Sequence, residues 1–156
     1  MTDMYLSVSL EAKHDFDTGA VTRRLGIEPT QVRKLGTPMH PGHDALYKYS
    51  SWEWGTAHIS ADDAGELIAQ AAAMFQSRAT VMRELANEYG GKWAIVLDGY
   101  VHSGDAPTVL LPPDFVEFCA AIGAIFQYVI DISYDYTSKG GADRGTAEDR
   151  PDTHRG

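Results

Sequence analysis

His40-Pro41-Gly42-His43-Asp44 places two imidazoles and a carboxylate within five residues. Such a donor set can reach one divalent cation, with His58 or His102 completing the shell. A Pro-Gly turn between the histidines, however, sets no fixed ligand geometry of the kind a helix supplies at constant spacing, and a solvated turn explains the same residues. Thr30, Arg33 and Lys34 form a second constellation, a small basic and hydroxyl-bearing patch ahead of Trp52. If the intervening loop folds over that tryptophan, an anionic ligand fits between guanidinium and indole, held by charge-assisted hydrogen bonds and stacking. The competing reading pairs Arg33 and Lys34 with Glu28 and Asp44 and places Trp52 in the core.

Other reactive side chains have plainer explanations. Cys119 lies among Phe115, Phe118 and Ile122, where a thiol is expected to be buried and inert. His14, Asp15 and Asp17 include an acid and a base, but Asp17 stands where a helix cap is needed. No G-x-S-x-G elbow, Gly-rich phosphate loop after a strand or H-E-x-x-H occurs in the sequence, so no catalytic residue and no cofactor is assigned.

The elements that must position these groups follow from hydrophobic period. Met4 to Ala12 alternates Met4, Leu6, Val8 and Leu10 against Ser7, Ser9 and Glu11, the period-two pattern of a half-buried strand. Tyr5 joins the serines, so that second face is not wholly solvated. A helix capped by Asp17 or Thr18 runs through Val21 to Leu25 and stops at Gly26. Glu28 to Ala45 then carries Pro29, Gly36, Pro38, Pro41 and Gly42 and reads as a long structured loop with an extended piece at Gln31 to Leu35.

Leu46 to His58 is expected as a second strand, with Trp52 and Trp54 facing away from Tyr47, Tyr49 and Glu53. Ala61 to Tyr89 has helical spacing, with a division at Ser77 and a stop at Gly90-Gly91. Trp93 to His102 is a third strand, and a turn at Ser103 to Pro107 leads to a short apolar piece at Thr108 to Leu111. Pro112 and Pro113 open a helix ending at Gly123, and Gln127 to Tyr136 forms the last strand.

The expected fold class is therefore α+β: a β-α-β unit, a helical spacer and a second β-α-β unit, with one sheet covered by helices on one face. Leu25-Gly26 and Ile122-Gly123 suggest a pseudo-repeat of ferredoxin-like type. Residues 1–137 read as one domain, and 138–156, without apolar residues beyond alanine, as a flexible tail.

The first strand of YLSVSL type, LGIEPT at Leu25 to Thr30, Lys34 and Gly36, and the Ser51-Trp52 strand together resemble a bacterial family catalogued as domain-of-unknown-function family number 4279. The stretch from the helix before Gly90 through Trp93 to Tyr136 is similar in layout. The TPMHPGHDAL segment before the aromatic strand is an insertion against that pattern. The resemblance implies a fold and assigns no catalytic residues.

Composition narrows the function classes. Net charge is −9, and Met1 to Thr137 carry the whole excess, 18 acidic against 9 basic residues. An acidic body opposes binding to nucleic acid, whose affinity comes largely from Lys and Arg on phosphates, whereas a basic protein is a suitable partner. One cysteine forms no internal disulfide, and no apolar run approaches the roughly 18 residues of a membrane span, so a cytoplasmic address without membrane insertion is expected. The leading expectation is a non-catalytic interaction or toxin-neutralising module that presents acidic and aromatic residues, Asp131 and Asp135 among them. The alternative is an anionic-ligand or enzymatic domain built on Thr30, Arg33, Lys34, Trp52 and the histidine loop.

Overall fold

The computed structural model describes residues 2–102 and 104–132. Ser133 to Tyr136 of the expected last strand, and the expected tail at 138–156, lie outside the described residues.

Strand β1 (Thr2–Ala12) is the spine of the sheet. One of its edges is occupied by β5 (Lys92–Val101), antiparallel along almost its whole length, from Thr2 opposite Val101 to Glu11 opposite Lys92. Its other edge is shared: β3 (Ser50–Gly55) pairs with Ser7 to Ala12, and β4 (Ile59–Ala61) pairs with Thr2 to Met4. A short edge strand, β2 (Gln31–Arg33), lies outside β3, and β6 (Ile125–Ile132) lies outside β5 in parallel. The described residues thus form an α+β fold with a six-stranded mixed sheet.

Four α-helices cover one side of it. Helix α1 (Thr18–Leu25) starts where the Asp17 carboxylate accepts the Ala20 N–H at 2.9 Å and stops at Gly26, whose φ of 68° is left-handed. Helices α2 (Gly65–Phe75) and α3 (Ala79–Tyr89) are separated by a 3₁₀ turn at Gln76–Arg78, so the expected division at Ser77 is present. Helix α4 (Pro113–Ile122) links the parallel pair β5 and β6, a connection that parallel strands require.

Three expectations change. Leu46 to Tyr49 belongs to a loop, because Gly36 and Tyr47 bridge back on each other and hold 36–47 as a hairpin-like finger instead of extending β3. Ala61 ends a strand and Gly65 begins the helix, since β1 extends to Thr2 and offers that segment backbone partners. The two halves are also wired differently: the chain leaving α1 forms the edge strand β2 before β3 meets β1 antiparallel, while the strands flanking α4 pair directly and in parallel. The shared aliphatic-glycine endings reflect a common way of stopping a helix, and the topology does not show a repeat.

Alternation along the strands divides the sheet into a covered and an open face. Met4, Leu6, Val8 and Leu10 join Trp52, Trp93, Ile95 and Leu97 and the buried sides of all four helices in one core. Trp52 and Trp93 meet edge to face at 6.1 Å, and Phe75 meets Trp52 at 6.3 Å. The Trp52 indole N–H donates to Thr22 Oγ1 at 3.0 Å, tying α1 to β3. Replacing that acceptor, Thr22→Val, leaves a buried N–H unpaired and is expected to cost about 1–2 kcal/mol. Urea denaturation with unchanged slope checks this; a loss below about 0.5 kcal/mol would mean water or another group replaces the hydroxyl.

Candidate functional site

On the open face the side chains stand in cross-strand rows. Asp3 on β1, Tyr100 on β5 and Asp131 on β6 share one row, and Tyr5 and Asp98 share the next. Aspartates and tyrosines therefore alternate both along and across β1 and β5, giving a small checkerboard. His58, from the segment between β3 and β4, lies on Tyr5 with ring centroids 4.6 Å apart, and His102 meets Tyr100 at the same separation. Asp3, Tyr5, His58, Asp98, Tyr100 and Asp131 line a cleft of about 360 Å³.

The electrostatics of this cleft are local. His102 Nε2 lies 2.6 Å from Asp3 Oδ2, and this contact holds the Asp3 carboxyl below its ordinary pKa. Burial pushes the Tyr5 phenol up, and the neighbouring Asp98 carboxylate adds to the shift. Among the described residues no lysine or arginine pairs with Asp98 or Asp131. Lys92 is six residues away along β5, about 20 Å for a strand and beyond the screening length at physiological salt.

The other end of the open face has opposite cations already engaged. Arg33 reaches Glu53 at 2.7 Å, Ser51 Oγ at 3.3 Å and Gln31 Oε1 at 2.8 Å. Burial alone would lower the Arg33 pKa, but the hydrogen bond and charge of Glu53 outweigh it and the net shift is upward. Thr30 donates to the Glu53 carbonyl at 3.3 Å, and Lys34 faces Asp15 at 3.7 Å. Neither Glu28 nor Asp44 is the partner that the sequence suggests for the two bases.

Trp52 does not join this patch. Val32 is its register partner on β2, so Arg33 stands on the opposite face, and the tryptophan is fully buried under the helices. An indole-guanidinium clamp around an anion is therefore not formed by Arg33 and Trp52. His40, His43 and Asp44 occupy the exposed tip of the finger, with the two imidazoles edge to face at 5.7 Å. Among the described residues no three His, Cys, Asp or Glu side chains gather as a metal-binding group. His58 instead lines the cleft against Tyr5, and His102 lies beside it against Tyr100.

Cys119 is buried in α4, and burial pushes its thiol pKa up, away from nucleophilic character. Asp17 serves as the cap of α1, while His14 lies against the Tyr89 carbonyl at the end of α3. Among the described residues no helix is long and apolar enough to cross a membrane.

The fold that carries the cleft can be placed by comparison. A family model described as Domain of unknown function (DUF4279) matches residues 2–133. The chain belongs to this family. No curated protein and no solved structure matches it at a significant level. The DUF4279 segment takes in β1 through β6, and with them every side chain of the cleft. Sequence reasoning singled out Asp131 but missed its companions, because they come together only through the β1–β5–β6 register. The signal that could have found them is Tyr5, a large amphipathic ring on the polar face of β1 beside Asp3 and Ser7.

Two outcomes test this electrostatic description. Arg33→Met keeps the aliphatic stem but leaves Glu53, only 19% exposed, without its partner. Urea denaturation should show a loss of about 1–2 kcal/mol, partly recovered when Glu53→Gln is added. The Tyr5 phenol has a raised folded pKa, so its neutral form contributes stability fully below the ordinary value of 10.0, and this is lost as pH rises through the folded value. Burial raises the Tyr128 phenol as well, so ultraviolet titration should show two tyrosinates forming above the rest, and Tyr5→Phe should remove one of them.

Proposed function

We propose that this chain is a non-catalytic interaction module, of the accessory or toxin-neutralising kind, whose open sheet face receives a basic protein in the bacterial cytoplasm. The observation carrying this reading is the end of the open face where Asp3, Asp98 and Asp131 alternate with Tyr5 and Tyr100 and where, among the described residues, only Asp3 has a basic side chain, His102, within ion-pair distance. Tyrosine offers contact area at a small entropy cost, and surrounding carboxylates select a cationic counterpart and speed its approach. A sheet face of this kind resembles a polyanion in charge, which suits occupation of a basic surface that otherwise holds phosphate groups.

The basic patch at Thr30, Arg33 and Lys34 supports an anion-binding alternative less well, because its charges are already met by Glu53 and Asp15. The finger at 36–47 remains available to a partner as a flanking contact, with Met39 and Leu46 more than two-fifths exposed.

Affinity capture from bacterial lysate with three baits tests the reading: wild type, the face variant Asp98→Lys with Asp131→Lys, and a control with the same charge change on the helices, Glu66→Lys with Glu117→Lys. A protein of high isoelectric point should be held by wild type and control, released as salt rises, and missing from the face variant. Retention of the same protein by the face variant, or retention of no basic protein by wild type, would overturn the reading.

A further inference from the structure

We propose that the cleft lined by Tyr5, Tyr100, Asp98 and Asp131 is a seat for a guanidinium group, an arginine side chain presented by the basic partner. This rests on the open-face reading above and deepens it by naming the side chain and its place. The first argument is the pair of aromatic walls. His58 lies tilted against Tyr5 and His102 meets Tyr100 edge-on, both with centroids 4.6 Å apart, so a second ring braces each phenol. A guanidinium is planar and weakly hydrated, and it stacks on such rings with little loss of solvation; an ammonium is a compact and strongly hydrated charge that gains less.

The second argument is the placement of acceptors. Asp131 is the register partner of Tyr100 on β6, and Asp98 precedes Tyr100 by two residues on the same face of β5. Carboxylates thus stand on two sides of one tyrosine that is itself 41% exposed. A guanidinium over that ring directs its N–H groups outward in the ring plane, toward both, where charge-assisted bonds are strongest. Asp3 is held by His102 and Ser60 and serves to fix the rim.

The third argument is size. A cleft of about 360 Å³ has room for an arginine side chain to enter while its outer N–H groups stay hydrated. Among the described residues no lysine or arginine fills the cleft: Arg33 is committed to Glu53, and Lys92 stands at the far end of β5.

The test uses a hexapeptide alternating arginine and glycine, with lysine and citrulline counterparts, titrated calorimetrically and by the ring resonances of Tyr5 and Tyr100. The arginine peptide should bind and shift both rings, the lysine peptide should bind several-fold more weakly, and the uncharged citrulline peptide should not bind. Asp98→Asn with Asp131→Asn should weaken arginine-peptide binding about a hundredfold, two charge-assisted contacts at about tenfold each. Glu66→Gln with Glu117→Gln, which removes two charges elsewhere, should leave it unchanged, and circular dichroism should show all variants folded. Equal affinity for arginine and lysine would overturn the guanidinium seat while leaving the open face as a general cationic surface. Ring shifts that persist in the Asp98→Asn and Asp131→Asn variant would also overturn it, as would failure of the arginine peptide to bind; partner capture by the face variant then judges the broader reading separately.

Discussion

Two buried indole N–H groups organise this protein. Once Trp52 and Trp93 leave water, each N–H must find an acceptor or cost the fold a desolvated donor. Trp52 finds Thr22 Oγ1 on α1, and Trp93 finds the Met82 carbonyl on α3 at 2.7 Å. Both acceptors belong to helices, so these bonds fix where the helical layer sits along the strands as well as holding it there. Phe75 fills the space beside Trp52 and Trp54, edge-on to both, and brings α2 into the same contact. Large rings in edge-to-face contact add about 0.5–1.5 kcal/mol per pair beyond their burial, which makes this cluster hard to re-register.

The open face follows from that commitment. Side chains alternate along a strand, so placing Trp52 under the helices sends Ser51 and Glu53 to the other side, and placing Leu6 and Val8 there sends Tyr5, Ser7 and Ser9 to that side too, where the small serines are covered by their neighbours. A slip of one residue would bury carboxylates and expose tryptophan. Core packing therefore determines the chemistry of the open face, although no residue of that face takes part in the core. Charges on it are sorted by distance along β1: Glu11 and Lys92 are opposite each other at one end, while Asp3 and Asp98 are near the other.

This division explains what could be read in the sequence. The alternation of β1, the Asp17 cap, the stops at Gly26 and Gly123 and the break at Ser77 are local, and periodicity and turn chemistry reveal them. The α+β class and the one-sided helical layer follow from their order. Tyr47 and Tyr49 misled because aromatic residues favour strands, yet the backbone of 36–47 bonds to itself as a finger. Ala61 misled because strand pairing with β1 outweighed its helical preference. The cleft was hidden for a different reason: Asp3 and His102 are 99 residues apart, and only the antiparallel pairing of β1 with β5 makes them neighbours.

On the proposed reading the cleft serves recognition, and the proton affinities of Asp3 and Tyr5 accord with it. A general base must aim at one substrate atom from a supported position, and its surroundings should shift its proton affinity toward neutrality. Here the shifts run the other way: His102 drives Asp3 further toward the ionised form, and burial with Asp98 keeps Tyr5 protonated. A carboxylate that stays charged and a phenol that stays neutral are poor at exchanging protons. They are suited to holding a cation, one through charge and the other through its ring face, and the strand pairing sets them side by side.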